Sequence, residues 1–262
     1  MSALPRKGTV KLSDIVPWGR SYDEYAAMFA LSASDLEKPI LGCGDGPASF
    51  NVEATAVGVR VVSVDPIYQY SASEIENRVA ATFATVMSQT RNEADRYLWN
   101  RFADLEALGA ARLQAMRRFA ADYEVGRQAG RYVVGSLPRL PFADASFGLG
   151  LCSHLLFLYS DHLSLEDHVS AVRELLRVAE EVRLFPLLTL SGSRSAHVAP
   201  LAEALRREGN VVAEVKVRYE FMRGADSMLR LSRGAPAPGE GADVVKVELP
   251  TVRRERNERK GP

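Results

Sequence analysis

The sequence predicts an α/β fold, a doubly wound sheet whose strands alternate with helices and which closes on an antiparallel hairpin. Three observations carry this prediction. Residues 40–48 read Ile-Leu-Gly-Cys-Gly-Asp-Gly-Pro-Ala and residues 61–65 read Val-Val-Ser-Val-Asp, so an apolar run opens into a glycine-rich turn, a helix-length segment follows, and a second apolar run ends on an acid. That is the order of a strand, a nucleoside-binding loop, a helix and a ribose-binding carboxylate. Further along, short apolar runs alternate with helix-length segments, as in successive βαβ units. Finally, residues 211–221 alternate apolar with mostly polar side chains, turn at Arg223-Gly224-Ala225-Asp226, and return over residues 228–231, which reads as a hairpin.

Taken in order, residues 1–20 hold Pro5, Gly8, Pro17 and Gly19 and read as an extended arm. A helix over residues 21–32 starts at Ser21, with Glu24 completing a capping box. Strand 1 is Ile40-Leu41, and the helix after the glycine loop runs from Pro47 to Val57 and stops at Gly58. Strand 2 covers residues 59–64. The next strand, Tyr132-Val133-Val134, arrives more than sixty residues later, and the interval is rich in helix formers over 74–87 and 92–123. A βαβ unit needs only about 30 residues, so a helical insertion is expected, its first helix opened by Ser73 and Glu76. Strand 4 covers 147–152, Ser164 and Asp167 open the next helix, and strand 5 over 182–185 is stopped by Pro186. A helix over 197–208 precedes the hairpin.

Bulk properties exclude several classes of function. Of 262 residues, 47% are apolar and 25% charged, and Lys+Arg and Asp+Glu are both 33. With zero formal net charge, no global field draws the chain to nucleic acid or to an anionic membrane. No apolar run approaches the roughly 18 residues of a membrane span, and no signal-peptide core opens the sequence. A cytoplasmic location is expected. The two cysteines, Cys43 and Cys152, have no metal-ligand spacing, and no metal site is expected.

The ligand of the glycine loop can be narrowed. An NAD-type G-x-G-x-x-G fails in both registers, because position 47 is Pro47 in one and position 49 is Ser49 in the other. Proline suits a first helical turn but removes a backbone donor that a pyrophosphate would use. The loop therefore suits a ligand without phosphates, and an NAD-dependent reductase is disfavoured.

The chain resembles the class I S-adenosylmethionine-dependent methyltransferases of the type 11-like group. The residues that carry the resemblance are Leu41-Gly42-Cys43-Gly44-Asp45-Gly46, Val62-Ser63-Val64-Asp65, Leu140-Pro141-Phe142-Ala143-Asp144-Ala145-Ser146-Phe147 and Cys152-Ser153-His154-Leu155-Leu156, within residues 38–68 and 131–231. It implies a Rossmann-like doubly wound seven-stranded sheet with one antiparallel strand. It also implies S-adenosyl-L-methionine as cofactor. In this family the first loop glycine precedes the ribose acid by about 21 residues, the separation of Gly44 from Asp65. Gly44 and Gly46 then approach the methionyl part of the cofactor. Gly42, Ser136 and Gly148 fall where the family commonly has acids, while Asp65 is kept.

On this basis residues 1–36 form an N-terminal arm and helix. Residues 37–233 form a methyltransferase-like domain with a helical insertion at about 69–130, and 234–262 a disordered tail. The cofactor-binding residues are Gly44, Gly46, Asp65, Ser136, Leu137 and Ser153. Two oxygens of Asp65 can accept both ribose hydroxyls. Ser136 either meets the adenine amine or is a simple loop serine, and Leu137 either walls the adenine or packs on the core. His154, just beyond strand 4, is the candidate catalytic base, with a pKa near the working pH, or else a structural histidine. Tyr159, Asp161 and His162 are weaker candidates. His168 is a solvated or packing residue. Arg20 and Tyr25 close the pocket from the N-terminal side. Cys43 and Cys152 end on neighbouring strands as buried thiols. The arginines of the tail, with Glu255 and Glu258 among them, read as a solvated segment.

The expected activity is methyl transfer to a small-molecule acceptor, with the insertion as a lid that supplies apolar contacts. A catalytically inactive methyltransferase-like binding module is the alternative, motivated by the three non-acidic positions.

Overall fold

The computed structural model describes residues 18–234. The expected arm, up to its last residues, and the expected tail lie outside the described residues.

The chain enters through α1 (Tyr22–Met28) and the short α2 (Ala33–Leu36). Both helices open on capping boxes, Ser21 with Glu24 and Ser32 with Asp35, in which side chains satisfy the first unpaired backbone donors. β1 (Ile40–Cys43) leads through the glycine loop to α3 (Phe50–Ala56) and then β2 (Val61–Val64). The helix starts later than the expected Pro47, which sits in a bend. The reason is local: residues 44–46 line the cavity described below, and the Ser49 N–H is held by the Arg20 carbonyl at 3.0 Å. Gly58, at φ +88°, ends the helix as expected.

The insertion consists of α4 (Ala72–Asn92) and α5 (Leu105–Gln128). Two overlapping capping boxes compete at its start, and the structure uses Ser71 with Glu74 rather than the expected Ser73 with Glu76. Once nucleated, a helix gains a bond per added residue, so it extends back to the outermost serine able to cap it. The expected helix over 92–123 begins only at Leu105, capped by Asp104, whose Oδ1 accepts the Ala107 N–H at 2.7 Å. α5 is tied to α1 by a buried ion pair: Arg112 donates through Nη1 to Glu24 Oε2 at 2.5 Å and through Nη2 to Oε1 at 2.7 Å.

The remaining elements are β3 (Tyr132–Val133), β4 (Phe147–Ser153), α6 (Leu165–Val178), β5 (Ala179–Phe185), α7 (Val198–Arg207), β6 (Val211–Lys216) and β7 (Ser227–Ser232). They complete a seven-stranded sheet in the order β3-β2-β1-β4-β5-β7-β6. The first five strands are parallel, and β7 lies antiparallel between β5 and β6. This is the seven-stranded, doubly wound sheet with one antiparallel strand that the sequence resemblance implies. β6 is shorter than the expected 211–221 because Tyr219 and Phe221 leave the sheet. The Tyr219 hydroxyl donates to Glu24 at 2.9 Å, and Phe221 stacks on Tyr97 with ring centroids 4.8 Å apart.

Alternating side chains of the buried strands feed a core on each face. Leu41, Val182, Leu184 and Leu229 pack under α6 and α7, while Ile40, Val61, Leu149 and Leu151 pack under α1 and α3 with Phe29 and Phe50. All seven residues of β4 are buried. Among the described residues, no helix is long and apolar enough to cross a membrane.

Candidate active site

The chain reverses its direction across the sheet between β1 and β4, running outward through β2 and β3 on one side and through β5 on the other. Loops diverge at such a switch point and leave a crevice at the carboxyl ends of the strands. A cavity of about 750 Å3 occupies it. Its walls include Gly44, Asp45 and Gly46 after β1, Asp65 after β2, Ser136 and Leu137 after β3, and Ser153 and His154 at the end of β4. All seven residues predicted for the site therefore meet in one cavity. Arg20 and Tyr25 line it as well.

The parallel ladder pairs Ile40 with Val61 and Cys43 with Val64, which sets Gly44 level with Asp65 at the strand ends. Gly44 has φ +72° and Gly46 φ +54°, conformations that favour glycine. A β-carbon on Gly44 would also come within 2.8 Å of Leu155 Cδ2. Asp65 fastens the loop: Oδ2 accepts the Gly46 N–H at 2.9 Å and Oδ1 the Ile67 N–H at 2.8 Å. Burial raises its pKa to about 6, against the pull of those two hydrogen bonds.

Asp45 is a cavity-wall residue that sequence alone does not single out. A β-carbon on Gly42 would lie 1.9 Å from Asp45 Oδ2, so the Asp45 carboxylate fills the space that a side chain at position 42 would enter. It accepts from the Tyr25 hydroxyl at 2.8 Å and from the Ser63 hydroxyl at 2.6 Å. Burial pushes its pKa up to about 7, with the two hydroxyls pulling down and the Asp65 charge pushing up. The available signal was an acid inside the glycine loop, three residues beyond the glycine that stands in the acid's usual place. Of the other non-acidic positions, Ser136 lines the cavity, whereas Gly148 sits at the far end of β4. There a β-carbon would meet Lys38 Cβ at 2.8 Å.

His154 has φ +53°, and its N–H donates to the Phe185 carbonyl at 2.6 Å. Nδ1 lies 2.7 Å from Ser153 Oγ, which fixes the ring. The expectation of a pKa near the working pH is overturned. Burial first, then the charges of Arg20 and Arg112, hold the imidazole well below its usual range, so the ring is neutral. Tyr159 reaches the cavity wall, while Asp161 and His162 do not line it. His168 is fully buried, with ring nitrogens 2.7 Å from the Ser164 carbonyl and 3.1 Å from the Leu156 carbonyl.

Cys43 and Cys152 are register partners on adjacent strands, both buried. The neighbouring thiol and burial raise Cys43 well above the usual cysteine range, which keeps it protonated and unreactive. The upper wall comes from the insertion, with Thr82, Val86, Gln89 and Thr90 on α4, and from Trp18, Tyr97 and Met222. Periodicity alone did not mark these residues, because α4 is polar on average and its cavity face mixes small, polar and apolar side chains.

No family model matches the chain. It is 31% identical over 225 residues to the uncharacterized protein MJ0045 of Methanocaldococcus jannaschii, covering 86% of this chain and 99% of that protein. Among solved structures it is similar to the PH0226 protein of Pyrococcus horikoshii OT3, at 13% identity and TM-score 0.45 over 81% of this chain and 90% of that one. It is also similar to magnesium protoporphyrin IX methyltransferase of Synechocystis PCC 6803 with bound SAM, at 13% identity and TM-score 0.44 over 81% and 78%. These structural likenesses are distant, and the strand order rather than either likeness defines the fold.

Proposed function

This chain belongs to one family with protein MJ0045 of Methanocaldococcus jannaschii, and we propose that it is an S-adenosylmethionine-dependent methyltransferase acting on a small-molecule acceptor. The observation that carries this reading is the place of Asp65: an acid at the carboxyl end of β2, level with Gly44, on the wall of the switch-point cavity.

The residues present fit that cofactor. Each oxygen of Asp65 accepts one backbone N–H, from Gly46 and from Ile67, and keeps a lone pair for a ribose hydroxyl. The loop offers little to a phosphate, since the Gly46 N–H is turned onto Asp65 and Pro47 has none. Asp45 stands ready for the cofactor's ammonium group in place of an acid at position 42. Ser136 and Leu137 frame the adenine end.

When bound, S-adenosylmethionine supplies an electrophilic methyl group on a sulfonium, which an acceptor lone pair takes by in-line displacement as the carbon–sulfur bond breaks toward sulfur. The protein's share is to align the reactants and to keep water out. Thr82, Val86 and Gln89 of α4, with Tyr97 and Met222, form the acceptor half of the cavity. Ser153 orients His154, whose neutral ring serves as a hydrogen-bonding partner of the acceptor. A small acceptor is favoured because the cavity is walled by the insertion and because the chain has no net charge to attract nucleic acid.

The inactive-module alternative loses support on two of its three positions. Asp45 occupies the space at Gly42, and Gly148 lies outside the cavity wall, which leaves Ser136. Calorimetry tests the cofactor: saturable binding of S-adenosylmethionine and S-adenosylhomocysteine is expected. A scan of acceptor pools for S-adenosylhomocysteine release then tests catalysis, and saturable binding without release from any pool would favour the inactive module.

A further inference from the structure

The cavity wall carries a cation, Arg20, that forms no ion pair with any described residue. The Arg20 side chain makes one hydrogen bond among the described residues, from Nη1 to the Trp18 carbonyl at 3.2 Å, and its buried Nε has no partner. Glu24, the carboxylate whose charge acts on Arg20, is already engaged. It takes both Nη groups of Arg112 and the hydroxyl of Tyr219. Arg112 Nε is also unpartnered, yet that guanidinium is paired with a carboxylate. Partly buried Arg20 with buried Arg112 and Glu24 thus make two cations and one anion, and His154 on the same cavity wall is neutral. Burial first and then the Arg112 charge work against the Arg20 charge, and Tyr219, Glu24 and Tyr25 offset them only in part, but an arginine does not shed its proton in a protein. A guanidinium whose Nε is cut off from water and unpartnered carries a cost that an anion in the cavity would relieve.

The surroundings define that anion. Arg20 lines the cavity together with Tyr25, which holds Asp45, with the glycine loop, and with His154 at the end of β4. Asp45 and Asp65 on the same wall repel a dianion, which disfavours phosphate. A planar guanidinium fork matches a carboxylate. We propose that Arg20 is the anchor for a ligand carboxylate in the cavity, an assignment that rests on the methyltransferase reading. Two sources share this chemistry: the amino-acid end of the cofactor, with its ammonium on Asp45, and a carboxylate on the acceptor held beside His154.

The test uses the full chain and the variants Arg20→Gln and Arg20→Lys, with folding verified by thermal melts. Calorimetry compares S-adenosylhomocysteine with S-adenosyl-3-thiopropylamine, which keeps the amine and lacks the carboxylate. Benzoate is titrated into protein with and without S-adenosylhomocysteine. If the cofactor supplies the carboxylate, the wild type prefers S-adenosylhomocysteine by ~30-fold, the scale of a charge-assisted pair, and Arg20→Gln reduces that preference to a few-fold while Arg20→Lys retains part of it. If the acceptor supplies it, S-adenosylhomocysteine affinity is unchanged in Arg20→Gln but benzoate binding to the loaded protein is lost. Folded Arg20→Gln that binds both ligands like the wild type overturns the assignment and leaves the cofactor reading intact. Wild-type protein that binds no S-adenosylhomocysteine overturns the cofactor reading instead. Arg20 is then judged on benzoate alone, supported if Arg20→Gln loses benzoate binding and rejected if it does not.

Discussion

Gly42 and Asp45 compete for one volume: a β-carbon on Gly42 would stand 1.9 Å from Asp45 Oδ2. β1 therefore cannot bear a side chain at position 42 while Asp45 keeps its contacts to Tyr25 and Ser63. The carboxylate reaches this part of the cavity from the loop rather than from the strand.

Asp45→Asn lowers S-adenosylhomocysteine affinity by about tenfold or more, the worth of a charged hydrogen bond, with the fold retained. Gly42→Asp alone overpacks the wall and costs about 1–3 kcal/mol of stability. The double variant Gly42→Asp with Asp45→Gly returns the acid to the strand and recovers part of the affinity. Calorimetry and urea titration read all three.

Asp45 and Asp65 also set a pH dependence. Burial raises their pKa to about 7 and about 6, above the ordinary carboxylate value near 4, so in that window the folded state binds more protons than the unfolded state. Stability therefore falls as pH rises from about 4 to 7, at up to ~1.4 kcal/mol per pH unit for each group, and levels off above that range. Glu24, held near 2 by Arg112 against the cost of burial, acts in the opposite sense only at more acid pH. Urea midpoints between pH 5 and 8 check the trend, which flattens in Asp45→Asn.

A ligand ammonium would favour ionised Asp45, so binding below about pH 7 releases a proton. S-adenosylhomocysteine then binds more tightly at pH 8 than at pH 6. Its apparent enthalpy at pH 6 changes with the ionisation enthalpy of the buffer.

His154 stays neutral through the physiological range because burial and two arginines oppose its protonation. Its imidazole resonances are expected not to titrate between pH 5.5 and 8 in an NMR experiment, whereas an exposed histidine titrates near 6.5.

Much of the fold was legible because its signals are local. The boxes at Ser21 and Ser164, the stop at Gly58 and the Gly44-to-Asp65 spacing depend on neighbours in sequence, and each is present. Where two local signals overlapped, at Ser71 and Ser73, sequence did not choose between them. Tyr219 and Phe221 continued the strand alternation, yet tertiary partners drew them away, Glu24 for one and Tyr97 for the other. The site divides along the same line. Glycines and Asp65 occupy fixed places in a motif, whereas Asp45 replaces a side chain from a different backbone position, which only three-dimensional packing reveals. The neutral state of His154 likewise depends on Arg20 and Arg112, both distant in sequence.

The Glu24–Arg112 pair fastens the insertion to α1, and Glu24 is left buried without its main partner when Arg112 is removed. Arg112→Met is predicted to cost about 3–5 kcal/mol, read as a lower urea midpoint.

The role of Asp65 as the ribose-binding acid is decided by calorimetry of S-adenosylhomocysteine with wild type and a folded Asp65→Ala variant. Saturable binding by the wild type and its loss in Asp65→Ala are predicted. No binding by the wild type, or equal binding by the two proteins, would contradict the assignment of this cavity as the cofactor site.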